Sequence, residues 1–424
     1  MSTNADAPFP TLERDPGMPS SRLPVDLRRL FRLAPFAAAA APIAYGAAGF
    51  FMAIQVQEFD PAAKVQHLAL IHSLSAIAAM LAQPIFGVLS DRTRSRWGSR
   101  HPWMLTGAAI GTVGLLTAGL APNMAALTVC MLIVQFGFNA WQGPFSALLP
   151  DRVPERFRGR YSTFVGLGVL LGAVLGPILG SFFVDRIPLG YAAVTGLVVV
   201  LILLFTLLVR GRDNRGEPRR PFSVGAFLSA FWVNPVRHPD FFWGFMGRIL
   251  LFGGYYMTST YSLYIAQDYI GLTLKEATSL VPLLSLIALP GLLIATAVSG
   301  PLSDRIGRRK PIVLAAGLLI ALGAAIPFLV PTVTGLILQS VVVTIGFGAF
   351  VAVDQALMAT VLPDPEAYGK DLGVLNLAAT LPGTIAPAAA GFIVMSLGYG
   401  PLFLVVGAIG LAGALAVLPI RTVR

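Results

Sequence analysis

The chain has 424 residues, of which 56% are hydrophobic and only 12% charged, with a formal net charge of +10. A soluble domain of this length needs far more charge to cover its surface, so the composition excludes that class and points to a chain solvated by lipid. A single cysteine, Cys130, excludes an intramolecular disulfide and a multi-cysteine metal site.

Residues 1–33 hold Pro8, Pro10, Pro16, Pro19 and Pro24 among mixed charges, and predict a disordered tail. From Ala34 onward, apolar runs broken by Pro, Gly and charge predict membrane-spanning helices. Six fall at 34–56, 67–89, 103–121, 124–149, 161–184 and 190–209. Six more fall at 241–266, 276–302, 311–329, 332–361, 372–395 and 400–419. The expected fold is an all-α membrane protein of twelve transmembrane helices, with bundles at 34–209 and 241–420 joined by a linker at 210–240.

Charge placement orients this plan. Of the 30 Lys and Arg, 26 lie in the tail and the loops of one side. Lys64, Arg186 and Lys275 occupy the opposite loops, and Arg248 lies inside the seventh helix. The positive-inside rule puts both termini and the linker in the cytoplasm of a cell-membrane protein. The basic charge is a topological signal, so no nucleic-acid partner is needed to explain it.

The two halves repeat one another. Gly87-Val-Leu-Ser-Asp91-Arg92 follows the second helix, and Gly300-Pro-Leu-Ser-Asp304-Arg305 follows the eighth, at an offset of 213. Leu149-Pro150-Asp151 and Leu362-Pro363-Asp364 share that offset, as do Gln142 and Gln355. Duplicated halves are a recurrent transporter design, with the solute site between them near the bilayer midplane.

The segment Gly300-Pro-Leu-Ser-Asp-Arg-Ile-Gly-Arg-Arg-Lys310 resembles the loop signature of the major facilitator superfamily. Its longer first-half counterpart, from Gly87 to Trp103, resembles the glycoside/sucrose:cation symporter branch and its bacterial relatives. The resemblance implies alternating access by two pseudo-symmetric bundles, with helices 1, 4, 7 and 10 lining the cavity. It also implies gating by Asp91, Arg92, Arg96, Asp304, Arg305, Arg308 and Arg309. A carboxylate beside arginines can form charge-assisted bonds across the seam that rocking would make and break. The bland alternative is that these arginines only fix topology.

Two charges fall inside predicted helices. Asp354 lies nine residues before Pro363 and Arg248 eight after Asp240, about 13 and 12 Å into antiparallel helices 10 and 7. An unpaired charge at that depth is costly, so a pair or a wet cavity is expected. The readings are a protonatable coupling carboxylate tuned by Arg248, or a permanent ion pair locking two helices. His72, two turns into helix 2, could join a proton path or be structural.

Gln135, Asn139, Gln142 and Ser146 share one face of helix 4, and Arg248, Phe252, Tyr255, Ser259 and Ser262 one face of helix 7. Gln135, Asn139, Gln142, Tyr255, Ser259 and Gln355 are the candidate solute contacts, interhelical hydrogen bonding being the alternative. Helix 2 lacks an internal carboxylate, which the sodium-coupled members of the branch use, and this puts sodium coupling in doubt; with Asp354 as the coupling carboxylate, a proton gradient is the expected energy source. Against uptake, Gly172-Ala-Val-Leu-Gly176-Pro177 resembles a motif of proton/drug antiporters, although the antiporter arginine in helix 4 is replaced by Asn139. The expectation is a monomeric transporter of a small polar solute that uses no cofactor. Sugar or glycoside uptake is favoured, drug or metabolite export is the alternative, and a non-transporting sensor a third. No enzyme motif is present.

Overall fold

The computed structural model describes residues 25–209, 211, 213–216, 237–361 and 368–422. Among them are twelve long helices and no strand. The first six are α1 (Val25–Phe59), α2 (Lys64–Arg92), α3 (His101–Ala118), α4 (Met124–Ser146), α5 (Glu155–Ser181) and α6 (Ile187–Leu208). The second six are α7 (Pro239–Thr260), α8 (Leu274–Ile306), α9 (Lys310–Leu329), α10 (Val333–Val361), α11 (Tyr368–Leu397) and α12 (Tyr399–Leu415). In lipid every backbone polar group must be satisfied within the chain, and helices do this locally.

Eight of these helices are long and apolar enough to cross a membrane unaided. α12 and the Leu381–Leu397 part of α11 are shorter apolar helices. The remaining two are α3, which opens on His101-Pro102, and α7, which carries Asp240 and Arg248.

The repeat is visible in the packing. α1 packs on α5 and α6, α2 and α3 on α4, and α3 on α6. Each contact recurs six helices later, as α7 with α11 and α12, α8 and α9 with α10, and α9 with α12. Two seams join the halves, α2 against α11 and α5 against α8. The start of α1 and the end of α12 lie on one face, called here the terminal face; the opposite one is the far face.

Two boundaries differ from the sequence reading. The first helix begins at Val25, so residues 25–33 are ordered helix. Leu27, Leu30 and Phe31 recur at helical spacing and are buried, and Phe31 meets Tyr161 of α5 edge-on at 5.3 Å. Arg28, Arg29 and Arg32 on the same stretch masked this amphipathic start. Helix 7 does not run smoothly to 266: α7 ends at Thr260 and is followed by a turn at Ser262–Tyr264 and a π-turn at Ile265–Tyr269. Residues 1–24 and most of the 210–240 linker lie outside the described residues.

The seam between α2 and α11 is tight at the far face. A Cβ on Gly391 of α11 would lie 2.8 Å from Ala69 of α2 and 2.7 Å from the Tyr261 hydroxyl. Toward the terminal face, Gly87 of α2 and Gly383 of α11 have no such neighbour within 4 Å.

Candidate functional site

Three places gather polar chemistry: a buried ion pair in the second half, a pocket in the first, and a cross-half latch at the far face. In the second half, Arg248 Nε of α7 lies 3.3 Å from Asp354 Oδ2 of α10. Both side chains are buried, at 9% and 4% exposure. The contact is an ion pair whose geometry leaves Nε without a hydrogen bond. The guanidinium also lies over the Phe252 ring, 5.6 Å from its centroid. Phe252 and Tyr255 both meet Phe347 of α10, the latter stacked at 4.1 Å. Ser259 is exposed and donates to the Tyr256 carbonyl at 3.4 Å, one turn back on its own helix.

In the first half, α1, α2 and α4 surround a small, partly open pocket. It is lined by Tyr45, Gly49 and Met52 of α1, His72 and Ser75 of α2, and Met131, Val134 and Gln135 of α4, among others. Asn139 is buried beside it, bonded to the Tyr45 hydroxyl at 2.9 Å. His72 and Gln135 thus share one pocket, eight residues or about 12 Å below the far end of α2. Arg248 and Asp354 lie nearer the terminal face, so His72 is not brought to the ion pair. Gln142 is half-buried and stands outside the pocket lining. The side chain of Gln355 lies outside the described residues. Among the described residues no cluster of His, Cys, Asp and Glu is placed to hold a metal ion.

At the far face the halves are latched together. Lys64 of α2 pairs with Asp268 of the π-turn at 2.7 Å and lies 4.7 Å above the Tyr264 ring. The Tyr264 hydroxyl donates to the Ala53 carbonyl of α1 at 2.9 Å, and Tyr399 of α12 donates to Asp268 at 2.9 Å.

The chain matches the sequence pattern of the Major Facilitator Superfamily over residues 36–362 and 291–424. It belongs to that superfamily. It is therefore an integral membrane protein. Among solved structures, a mutant of the nucleoside transporter NupG superposes with a TM-score of 0.72 at 14% identity, covering 92% of this chain and 99% of that one. A POT family transporter in complex with a thioalcohol-conjugated peptide gives 0.73 at 15% identity, covering 92% of this chain and 95% of that one. At such identity the likeness concerns fold alone.

Among curated relatives, the sucrose transport protein SUT1 of Oryza sativa subsp. japonica is 29% identical over 135 residues, which is 25% of either chain. The general alpha-glucoside permease of Schizosaccharomyces pombe is 42% identical over 57 residues, 13% of this chain and 9% of its own. This chain thus spans a quarter or less of the length of those relatives. Both agree with the branch of the superfamily to which the first-half loop pointed.

Two of the superfamily-loop residues, Asp91 and Arg309, are tied within their own halves. Asp91 is held by Arg100, which also binds Asp151 at 2.8 Å and Ser90 at 2.7 Å. Burial alone would lower the Arg100 pKa, but the Asp151 and Asp91 carboxylates outweigh it and push it up. All four residues belong to the first half, so this clamp ties the terminal ends of α2, α3 and α4 together and does not cross the seam. Arg309 likewise bonds within its own half, to the Ala356 carbonyl at 2.7 Å and to the Thr360 hydroxyl. Arg96 lies over the Trp97 ring, 5.6 Å from its centroid. Asp304, Arg305 and Arg308 are exposed at the terminal face, as is Arg92.

Sequence reasoning missed Tyr45, Ser75, Arg100 and the Lys64–Asp268 latch. Arg100 and Asp151 were legible as charges flanking a repeated loop. Tyr45 stands alone in an alanine-rich helix and offered no periodic signal.

Proposed function

We propose that this chain is a proton-coupled secondary transporter that takes up an uncharged polar solute, a sugar or glycoside first, by alternating access. The observation that carries the coupling is the buried Arg248–Asp354 pair between α7 and α10. A carboxylate 3% exposed beside one cation has two ways to be neutral, the ion pair or a bound proton, and a change in its distance from Arg248 or in its access to water exchanges one for the other. A proton gradient can drive such a cycle without ATP or a prosthetic group, in a monomer. The uptake of sugars is supported by the neutral polar pocket of the first half and by partial matches to sucrose and α-glucoside transporters. With 26 of 30 Lys and Arg on the terminal side, the positive-inside rule makes that face cytoplasmic. The far-face latch then describes a state closed to the outside.

The exporter reading leaned on the glycines of α5, and packing accounts for those. A Cβ at Gly168, Gly172 or Gly176 would lie 2.0, 2.6 or 2.7 Å from the carbonyl oxygens of Pro35, Ala39 and Ile43 on α1. The stripe lets two helices approach closely.

The test is transport of radiolabelled sucrose and maltose in proteoliposomes under a pH gradient. Asp354→Asn is expected to abolish gradient-driven accumulation and to keep counterflow exchange. Unchanged accumulation by that variant removes proton coupling through Asp354. Accumulation of a lipophilic drug in inside-out vesicles, with no sugar moved, replaces uptake by export.

A further inference from the structure

We propose that Asn139 does not touch the solute but sets the hydrogen-bond polarity of the α1–α2–α4 pocket. It turns the Tyr45 hydroxyl and the Gln135 amide into free donors, so that the pocket reads acceptor oxygens on an uncharged, oxygen-rich ring. This rests on the transport reading above and assigns the residues that select the solute.

Asn139 Nδ2 lies 2.8 Å from the main-chain carbonyl of Gln135, a group that can only accept. The amide nitrogen of Asn139, and not its oxygen, therefore occupies that place. The same nitrogen is 2.9 Å from Tyr45 Oη and 3.2 Å from Gln135 Oε1. Of its two hydrogens one goes to that carbonyl and the other to Tyr45 Oη, the nearer remaining oxygen, which makes Tyr45 an acceptor toward it; Gln135 turns its oxygen to the same nitrogen because a second donor there would be repelled. Tyr45 keeps its own O–H, and Gln135 keeps both hydrogens of Nε2. Both side chains line the pocket.

Two further polar groups line it: the His72 ring, and Ser75, 4% exposed, whose Oγ has no hydrogen-bond partner. A buried hydroxyl left unpaired is unfavourable, and a solute oxygen within reach would relieve it. Met52, Met131 and Val134 make other parts of the wall apolar, which suits the C–H face of a sugar ring. A Cβ on Gly49 would meet no atom within 4 Å, so the backbone of α1 leaves room beside them. Oriented polar groups set between apolar walls suit a small-molecule site.

The test uses the full chain in lipid nanodiscs with sucrose, methyl α-D-glucopyranoside and the mono-O-methyl ethers of the latter as probes. An ether oxygen accepts a hydrogen bond but cannot donate one. Wild type is expected to bind a parent sugar and to keep at least one ether within about threefold of it, since its fixed groups donate. Tyr45→Phe removes only the hydroxyl and is expected to weaken binding about tenfold. Asn139→Asp keeps the shape but draws the Tyr45 proton to the carboxylate, so the ether should lose about tenfold relative to its parent. An ether-to-parent ratio unchanged in Asn139→Asp overturns the inference. Should that variant not fold, Tyr45→Phe binding both probes as wild type does overturns it equally.

Counterflow in proteoliposomes separates the two failures. Wild type and both variants exchanging sugars with the same selectivity rejects the role of Asn139 and leaves transport standing. Wild type exchanging none of these sugars rejects the sugar-transport reading, and the inference falls with it.

Discussion

Reversing the charge of Asp268 should release the far face. Lys64 and Asp268 are 2.7 Å apart, with 13% and 33% of their side chains exposed. A close unit-charge pair at an effective dielectric of 20 has a gross attraction of about 4 kcal/mol. Solvent screening and the cost of ordering two side chains reduce this, leaving about 1 kcal/mol as the net value of so exposed a pair. Asp268→Lys replaces that attraction by a comparable repulsion and also frees the Tyr399 hydroxyl. The attraction lost and the repulsion gained sum to about 2 kcal/mol, a shift of roughly 30-fold in the ratio of far-face-closed to far-face-open molecules. The assay is pulsed electron spin resonance on Ala62→Cys/Lys275→Cys, exposed positions of the two halves, in a Cys130→Ser background. Wild type should give one short-distance population and Asp268→Lys a major longer one. The swap Lys64→Asp/Asp268→Lys should restore the short population. A distribution untouched by the single reversal, or a swap that fails to restore it, refutes the latch.

Further outcomes follow from the other clusters. Arg248→Met strands the Asp354 carboxylate in a buried site and should cost about 3–5 kcal/mol, read as a lower melting temperature in detergent, whereas Arg248→Met/Asp354→Leu should recover most of it. Gly168→Ala puts a methyl 2.0 Å from the Pro35 carbonyl and should lose about 1–3 kcal/mol by separating α1 from α5, while Gly166→Ala, which meets no such neighbour, should be near neutral in the same melt. Asp60, in the loop between α1 and α2, has its carboxyl held below the usual range, first by the Ala63 backbone N–H and then by His67. A lowered folded pKa means that its stabilisation is present above the unfolded value, about 4, and is lost as pH falls through the folded value. Asp60→Asn should therefore flatten the melting temperature's dependence on pH below about 4.

How much of this was legible depended on range. Apolar runs located the twelve helices because each span is decided locally by length and hydropathy. The 213-residue offset anticipated that packing would recur between halves, since like sequences bury like faces. Arg248 and Asp354 were legible because a charge in an apolar run is conspicuous and antiparallel helices put equal depths side by side. Tyr45 and Asn139, 94 residues apart, were not, because nothing in either helix encodes which rotation faces the other. Lys64 and Asp268, 204 residues apart, read as ordinary loop charges until the halves were assembled. The start of α1 was hidden for the opposite reason: arginines on its outer face outweighed the buried Leu27, Leu30 and Phe31 in any average along the chain.

These ranges bear on how the halves divide the work. Asp91, Arg100 and Asp151 bond within the first half, and Arg309 within the second, so each bundle keeps its terminal-face ties through a rocking motion. Lys64, Tyr264 and Asp268 bond between halves at the far face, so they must part for that face to open. The neutral pocket lies wholly within the first half and the buried charges wholly within the second. Proton binding at Asp354 can then reach the solute only by changing how the halves sit against each other, and the far-face latch is a contact that such a change must break. Weakening the latch should alter the coupling of accumulation to the pH gradient while leaving the selectivity set by Tyr45 and Gln135 intact. A latch variant with changed sugar selectivity at constant coupling contradicts that division.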